Sequence, residues 1–249
     1  MNKIIIANWK NHPETEVEAV KLFTEIKDGL AGVDSGVEVV VCPPYNFVDI
    51  IGNKFSSDIG LGAQDFNDNI PPDLLKELDY KYVILGHSER RIELGETDEV
   101  INKKIHTAIE NGLIPVLCLG DKNRESKEDI IEIATQLKED LKNLTPQSLS
   151  NLIITYEPIW AISTMGGKVA KKEDIEESIN FIKKTLFEMF GEPAQETKIL
   201  YGGSVNPENA EEIISIPEVD GLLIGQASLS PEEFIKIVEI VNISKNIIN

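Results

Sequence analysis

Short apolar runs alternate with longer amphipathic segments along the chain. Eight runs carry the apolar, β-branched signature of strands: Lys3–Lys10, Val37–Pro43, Ile59–Gln64, Tyr82–Gly86, Ile114–Gly120, Leu152–Glu157, Lys198–Gly202 and Gly221–Gly225. Several of them, such as IIIA, VEVVVC, YVIL and LIITY, are apolar on both faces, which is the pattern of a parallel sheet covered on both sides. Between them, segments such as VEAVKLFTEIKDGL, KEDIIEIATQLKEDLKNL and PEEFIKIVEIVNI repeat apolar positions every three or four residues, as amphipathic helices do. Gly29, Gly112 and Gly191 stand where helices should end and read as C-terminal caps. Asn206-Pro207 and Ser230-Pro231 read as helix starts, a capping side chain followed by proline.

Eight strand–helix units with no Gly/Ser-rich linker predict an α/β fold, a single (β/α)8 barrel occupying residues 1–249 as one catalytic domain. A doubly wound open sheet has similar content. The first strand argues against it, because it lacks the GxGxxG turn and ends in the polar residues Asn8 and Lys10.

Composition narrows the partners. Apolar residues at 41% and charged residues at 27% suit a folded water-soluble chain rather than a disordered one. A net charge of -19, from 24 basic and 43 acidic side chains, repels nucleic acid and anionic membrane. It also repels anionic substrates at long range, so any phosphate site must be built from local donors. Cys42 and Cys118 form no CxxC and join no His/Cys cluster, so they read as buried free thiols of a cytoplasmic protein with no zinc site. The opening MNKIIIANWK is too short an apolar run for a secretory leader, and no stretch approaches a membrane span.

In a barrel of this kind the chemistry lies at the carboxyl ends of the strands. Strand one ends in Asn8-Trp9-Lys10, and strand four in Gly86-His87-Ser88-Glu89-Arg90-Arg91, followed by Glu96. Strand six ends in Tyr156-Glu157-Pro158, strand seven in Gly202-Gly203-Ser204, and strand eight in Gly225-Gln226. A cation, an imidazole, a carboxylate and two glycine-containing turns suit proton abstraction beside a carbonyl in a phosphorylated substrate. The turns offer backbone N–H groups to a phosphate. His12 and His106 lack such a setting and are expected at the surface.

The segments NWK, GHSERR, YEPIWAI, YGGSVNPENA and DGLLIGQASL resemble the signatures of the triosephosphate isomerase family, in order and at similar spacing across nearly the whole chain. The resemblance implies a (β/α)8, or TIM, barrel that interconverts dihydroxyacetone phosphate and glyceraldehyde 3-phosphate in glycolysis and gluconeogenesis, in the cytoplasm, with no cofactor. It makes Glu157 the base that moves a proton between adjacent carbons. His87 becomes a neutral electrophile that polarises the carbonyl, with a helix starting at Ser88 disfavouring imidazolium. Lys10 would bind the anionic substrate, Asn8 would orient its oxygens, and Glu96 would pair with Lys10 close to the histidine. Backbone N–H groups of Ser163, Ser204, Gly225 and Gln226 would hold the phosphate. The segment from Pro158 to Ala170 would close over the site.

Departures from the family pattern carry expectations of their own. The segment after strand three passes almost directly from Gln64-Asp65 to a helix at Pro72, where the family has a longer loop that enters a neighbouring subunit. A monomer or a weakened, altered homodimer is therefore expected. Asn11 stands where a bulkier interface residue often occurs. The closing segment is slightly long, Ser163 replaces a glycine, and Gln226 replaces the second glycine of a pair, where a side chain would narrow the phosphate pocket. These changes leave two other functions open: isomerisation of a related four-carbon ketose phosphate, and a non-catalytic barrel that binds sugar phosphates.

Overall fold

A computed structural model of the chain describes residues 2–33, 36–55, 59–125, 129–161 and 169–248. Strands β1 (Lys3–Asn8), β2 (Val37–Cys42), β3 (Gly60–Ala63), β4 (Tyr80–Leu85), β5 (Ile114–Leu119), β6 (Ile153–Tyr156), β7 (Lys198–Tyr201) and β8 (Gly221–Ile224) form one closed barrel in chain order. Every pairing is parallel, and β1 closes the ring by pairing with both β2 and β8. Helices α1 (Glu16–Leu30), α2 (Val48–Phe55), α3 (Pro72–Glu77), α4 (Ser88–Glu93), α5 (Asp98–Glu110), α6 (Ile131–Asp140), α7 (Lys172–Phe190), α8 (Ala210–Ile214) and α9 (Pro231–Ile248) lie between and after the strands.

The continuous apolar runs have a direct cause in this architecture. Alternate residues of a strand face opposite sides, and here both sides are buried. Ile4 and Ile6 point into the barrel with Val40, Cys42, Ile84, Val116, Cys118 and Leu200. Ile5 and Ala7 point outward into the layer shared with the helices, beside Phe23, Ile26 and Val241. Each large aliphatic side chain buried this way contributes about 1.5–3 kcal/mol of transfer free energy. Both thiols are free and buried, and burial pushes them well above the ordinary cysteine range.

Strand ends shift by small amounts from the sequence reading. The polar or glycine residue expected to end most strands instead turns out of the ladder. β4 begins at Tyr80, earlier than expected, because the buried Tyr80 hydroxyl donates to the carbonyl of Val48 and draws the chain into the barrel. Gly112 and Gly191 end their helices at φ of 73° and 70°, as C-terminal caps do. Gly29 does not: α1 runs on to Leu30. A Cβ on Gly29 would lie 2.2 Å from Ile235 Cδ1, so this glycine lets α9 approach α1. After β3 the chain makes a compact turn in which Asn67 N–H donates to Ile70 O at 3.2 Å, and α3 follows at Pro72.

Candidate active site

The carboxyl ends of β1, β4, β6, β7 and β8 surround one cleft of about 320 Å³, lined by Asn8, Lys10, His87, Glu157, Ser204, Gly225 and Gln226 among others. That volume suits a small ligand.

Glu157 follows β6 directly, and its N–H donates to Leu119 O at 2.8 Å. Its side chain is almost fully buried, with a relative exposure of 3%. A buried carboxylate without donors would be costly. This one accepts the Ser88 N–H on Oε2 at 3.0 Å, and its Oε1 lies 3.2 Å from His87 Nε2.

His87 caps the N-terminus of α4. Its Nδ1 accepts the N–H of Glu89 at 3.4 Å, a long contact that an imidazolium could not make. The ring proton of the neutral form is therefore on Nε2, facing Glu157 and the cleft. The helix start expected at Ser88 is present, with its positive end at this ring.

Lys10 sits beyond the end of β1 with φ of 53°, a left-handed conformation rare for a non-glycine residue. Its own N–H donates to Asn8 Oδ1 at 3.1 Å, which fixes the buried Asn8 amide. The Gln64 side-chain amide donates to Lys10 O at 2.8 Å and to Cys42 O at 3.1 Å.

The acid that pairs with Lys10 is Glu89, not Glu96. Lys10 Nζ lies 2.5 Å from Glu89 Oε1. Glu96 instead accepts from Arg90 Nε at 3.2 Å and from Lys104 Nζ. The reason is the turn of α4: Glu89, in its first turn, reaches Lys10, whereas Glu96 lies past the helix end and folds back onto Arg90. Burial pushes the Glu96 carboxyl upward, but Lys104 and Arg90 outweigh it and hold the group below the usual glutamate range. Thr97 caps α5 through its hydroxyl.

The two glycine turns face the same cleft. Ser204 Oγ donates to Ala161 O at 3.3 Å, and the Asn209 amide donates to Ser204 O at 2.9 Å. Ser228 Oγ donates to Gly225 O at 2.6 Å. Gln226 opens a 3-10 turn and is exposed, so its side chain stands at the rim rather than filling the cleft. Ser163 lies outside the described residues, as does the stretch 162–168 of the expected closing segment.

Asp121, just past β5, escapes a reading confined to the catalytic motifs. It is fully buried and accepts from the Tyr156 hydroxyl at 2.8 Å, Trp160 Nε1 at 3.2 Å and Arg124 Nη1 at 3.2 Å. It thus braces both flanks of Glu157. Burial raises its carboxyl above the usual aspartate range against the pull of Tyr156 and Arg124. Two further contacts are not read from those motifs: the Gln64 amide on Lys10 O, and the Ser88 N–H on Glu157. The signal for both residues was position, since each stands at or just past the carboxyl end of a strand. His12 is exposed, and His106 is half-buried with Nε2 3.1 Å from Lys142 O. Among the described residues, no group of three or more His, Cys, Asp or Glu side chains is placed to hold a metal ion, and no helix is long and apolar enough to cross a membrane.

Comparison with known proteins gives the same direction. The family profile of triosephosphate isomerase matches residues 3–241. The chain is 43% identical to the triosephosphate isomerase of Moorella thermoacetica, over 94% of this chain and 97% of that protein. It is 44% identical to that of a Thermoanaerobacter species, over 94% and 98%. With the Clostridium novyi enzyme it shares 43% identity over 96% and 98%. The chain belongs to the triosephosphate isomerase family.

Proposed function

We propose that the chain, acting as one catalytic unit, interconverts dihydroxyacetone phosphate and D-glyceraldehyde 3-phosphate through an enediolate, as a step of glycolysis and gluconeogenesis in the cytoplasm. Glu157 takes the proton from one substrate carbon and returns it to the next. The Nε2–H of His87 donates to the carbonyl oxygen and passes a proton between the two oxygens as the double bond moves. Lys10 and Asn8 hold those oxygens, and Lys10 offsets the negative charge that develops on them. Backbone N–H groups at Ser163, Ser204, Gly225 and Gln226 take the phosphate. Charge is met throughout by groups of the chain itself, and no cofactor is assigned.

The observation that carries this reading is the placement of Glu157, His87 and Lys10 around one cleft, with the two glycine turns on its other wall. A protein that only bound sugar phosphates would gain nothing from burying a carboxylate against an imidazole donor. The test is a coupled assay of glyceraldehyde 3-phosphate isomerisation, with Glu157→Gln beside the unaltered chain. Turnover that falls by about 10²-fold or more in the variant, the scale of a general base, supports the assignment. A folded, unaltered chain without turnover overturns it.

The same proposal includes a monomer or a weakened homodimer, supported by the compact Asn67–Ile70 turn after β3. Sedimentation at micromolar concentration tests this, and a dimer that persists on dilution would count against it.

A further inference from the structure

We propose that Gln64 and Asp65, at the carboxyl end of β3, are positioning residues for the reaction. From one dipeptide they hold both members of the Lys10–Glu89 pair. The inference rests on the isomerase reading above and adds to it a strand whose end supplies no group to the chemistry.

Gln64 acts on the lysine. Its amide donates to Lys10 O at 2.8 Å and Cys42 O at 3.1 Å, tying the ends of β1 and β2. This bond falls on the residue held at φ of 53°. Such a conformation is unfavourable for a residue with a side chain and persists only where its surroundings enforce it.

Asp65 acts on the glutamate. It is buried and takes Arg90 Nη2 at 2.5 Å and Lys104 Nζ at 2.7 and 2.9 Å. Arg90 follows Glu89 in α4, a helix of six residues. A helix that short has no stability of its own, so its rotation is set by its contacts. That rotation aims Glu89 at Lys10, the Ser88 N–H at Glu157 and the His87 ring at the cleft. Buried ion clusters contribute little net stability. What this one secures is the orientation of α4.

A double-mutant cycle separates positioning from general structural support. Gln64→Ala is made alone and with Lys10→Ala, and Asp65→Asn is made alone and with Glu89→Gln. The readouts are kcat and KM for glyceraldehyde 3-phosphate, and calorimetric affinity for 2-phosphoglycolate, whose carboxylate resembles the enediolate oxygens. Each single variant is expected to lose about tenfold in phosphoglycolate affinity and in kcat/KM. In the Lys10→Ala and Glu89→Gln backgrounds, the second substitution is expected to change affinity less than about twofold. Equal losses with and without the partner overturn the proposal, because they mark a purely structural role. Should Asp65→Asn fail to fold, the Gln64 arm decides alone. An unaltered chain that binds phosphoglycolate without turning over substrate counts against the isomerase reading only. One that does not bind phosphoglycolate overturns both.

Discussion

His87 Nε2 stands 3.2 Å from Glu157 Oε1, with both side chains nearly out of reach of water. On the proposed mechanism, the donor for the carbonyl oxygen and the base for the adjacent carbon thus face each other directly. A substrate that uses both must come between them or draw the carboxylate aside. The reach of the glutamate arm then matters more than its charge. Glu157→Asp keeps the carboxylate but withdraws it by about one carbon–carbon bond, ~1.5 Å. A displacement of that order costs about 10²-fold in rate. The expected result is a fall of this size in kcat with KM changed less than about threefold, because the turns proposed to hold the phosphate would bind ground state and transition state alike. Steady-state kinetics on the purified variant decides, and a kcat within tenfold of the unaltered chain would refute the argument.

The pairing of Lys10 with Glu89 rather than Glu96 leads to a contrast between two glutamates seven positions apart. Glu89→Gln leaves Lys10 without its carboxylate and frees it to turn from the cleft. Glu96→Gln removes a shared acceptor of Arg90 and Lys104 and leaves Lys10 untouched. Activity is expected to drop about tenfold in kcat/KM for Glu89→Gln and to stay within about threefold for Glu96→Gln, because Arg90 keeps its shorter contact to Asp65 and α4 its orientation. Thermal stability is expected to fall mainly in Glu96→Gln, by about 1–3 kcal/mol, because two half-buried cations lose a charged partner. Parallel kinetics and melting curves test the contrast, and a greater activity loss in Glu96→Gln would return the pairing role to that residue.

These two glutamates also show where the sequence stops being readable. The barrel was legible because its cause is local: apolar runs on both strand faces, and amphipathic segments between them. The strand ends were legible as the place where the polar groups gather, and Glu157, His87, Lys10 and Asn8 all reach the cleft from there. Which acid meets Lys10 was not. Glu89 and Glu96 both follow strand four, and only the turn of a short helix decides which of them points inward. Gly29 failed for a related reason. As a cap it needed only its neighbours in sequence, but its role is set by Ile235, which returns from the far end of the chain. The start of β4 likewise depends on Tyr80 meeting Val48 O. The compact turn after β3 was legible only through the resemblance to the family, whose longer loop gives a length to compare it with.

Asp65 and Glu96 share Arg90 and Lys104 yet shift in opposite directions. Burial raises Asp65 above its ordinary 3.8 in spite of Lys104 and Arg90. For Glu96 burial is outweighed, and the group lies below its ordinary 4.5. The signs follow from proton linkage. Glu96 binds its proton less readily folded than unfolded, so its contribution is present above 4.5 and is lost as pH falls through the lowered folded value. Asp65 binds its proton more readily folded, so the penalty of its ionised form is relieved as pH falls toward 3.8. Urea unfolding between about pH 3.5 and 6 should show this. The advantage of the unaltered chain over Glu96→Gln should shrink with acid, while its advantage over Asp65→Asn should grow. Parallel slopes for the two variants would show that the shared cations do not divide in this way.

Gly202 offers a way to move Glu157, the proposed base, without altering it. A Cβ there would lie 2.6 Å from Thr155 Cγ2 and 3.1 Å from Glu157 Cγ. Thr155 is fully buried, so Gly202→Ala presses on both the threonine and the glutamate. Overpacking of this kind costs about 1–3 kcal/mol, or about 2–12 °C in melting temperature for a chain of this size. The shift of Glu157 should cost more than that in activity, about 10²-fold in kcat. Thr155→Ser separates the two effects, because it deletes the methyl group in the closer clash and leaves the glutamate contact in place. The Gly202→Ala/Thr155→Ser pair is therefore expected to regain most of the melting temperature and only a small part of the activity. Full recovery of both would mean that Glu157 yields at no cost to its aim. Recovery of neither would place the strain in the backbone between Tyr156 and Gly202, where the Gly202 N–H donates to Tyr156 O at 2.8 Å.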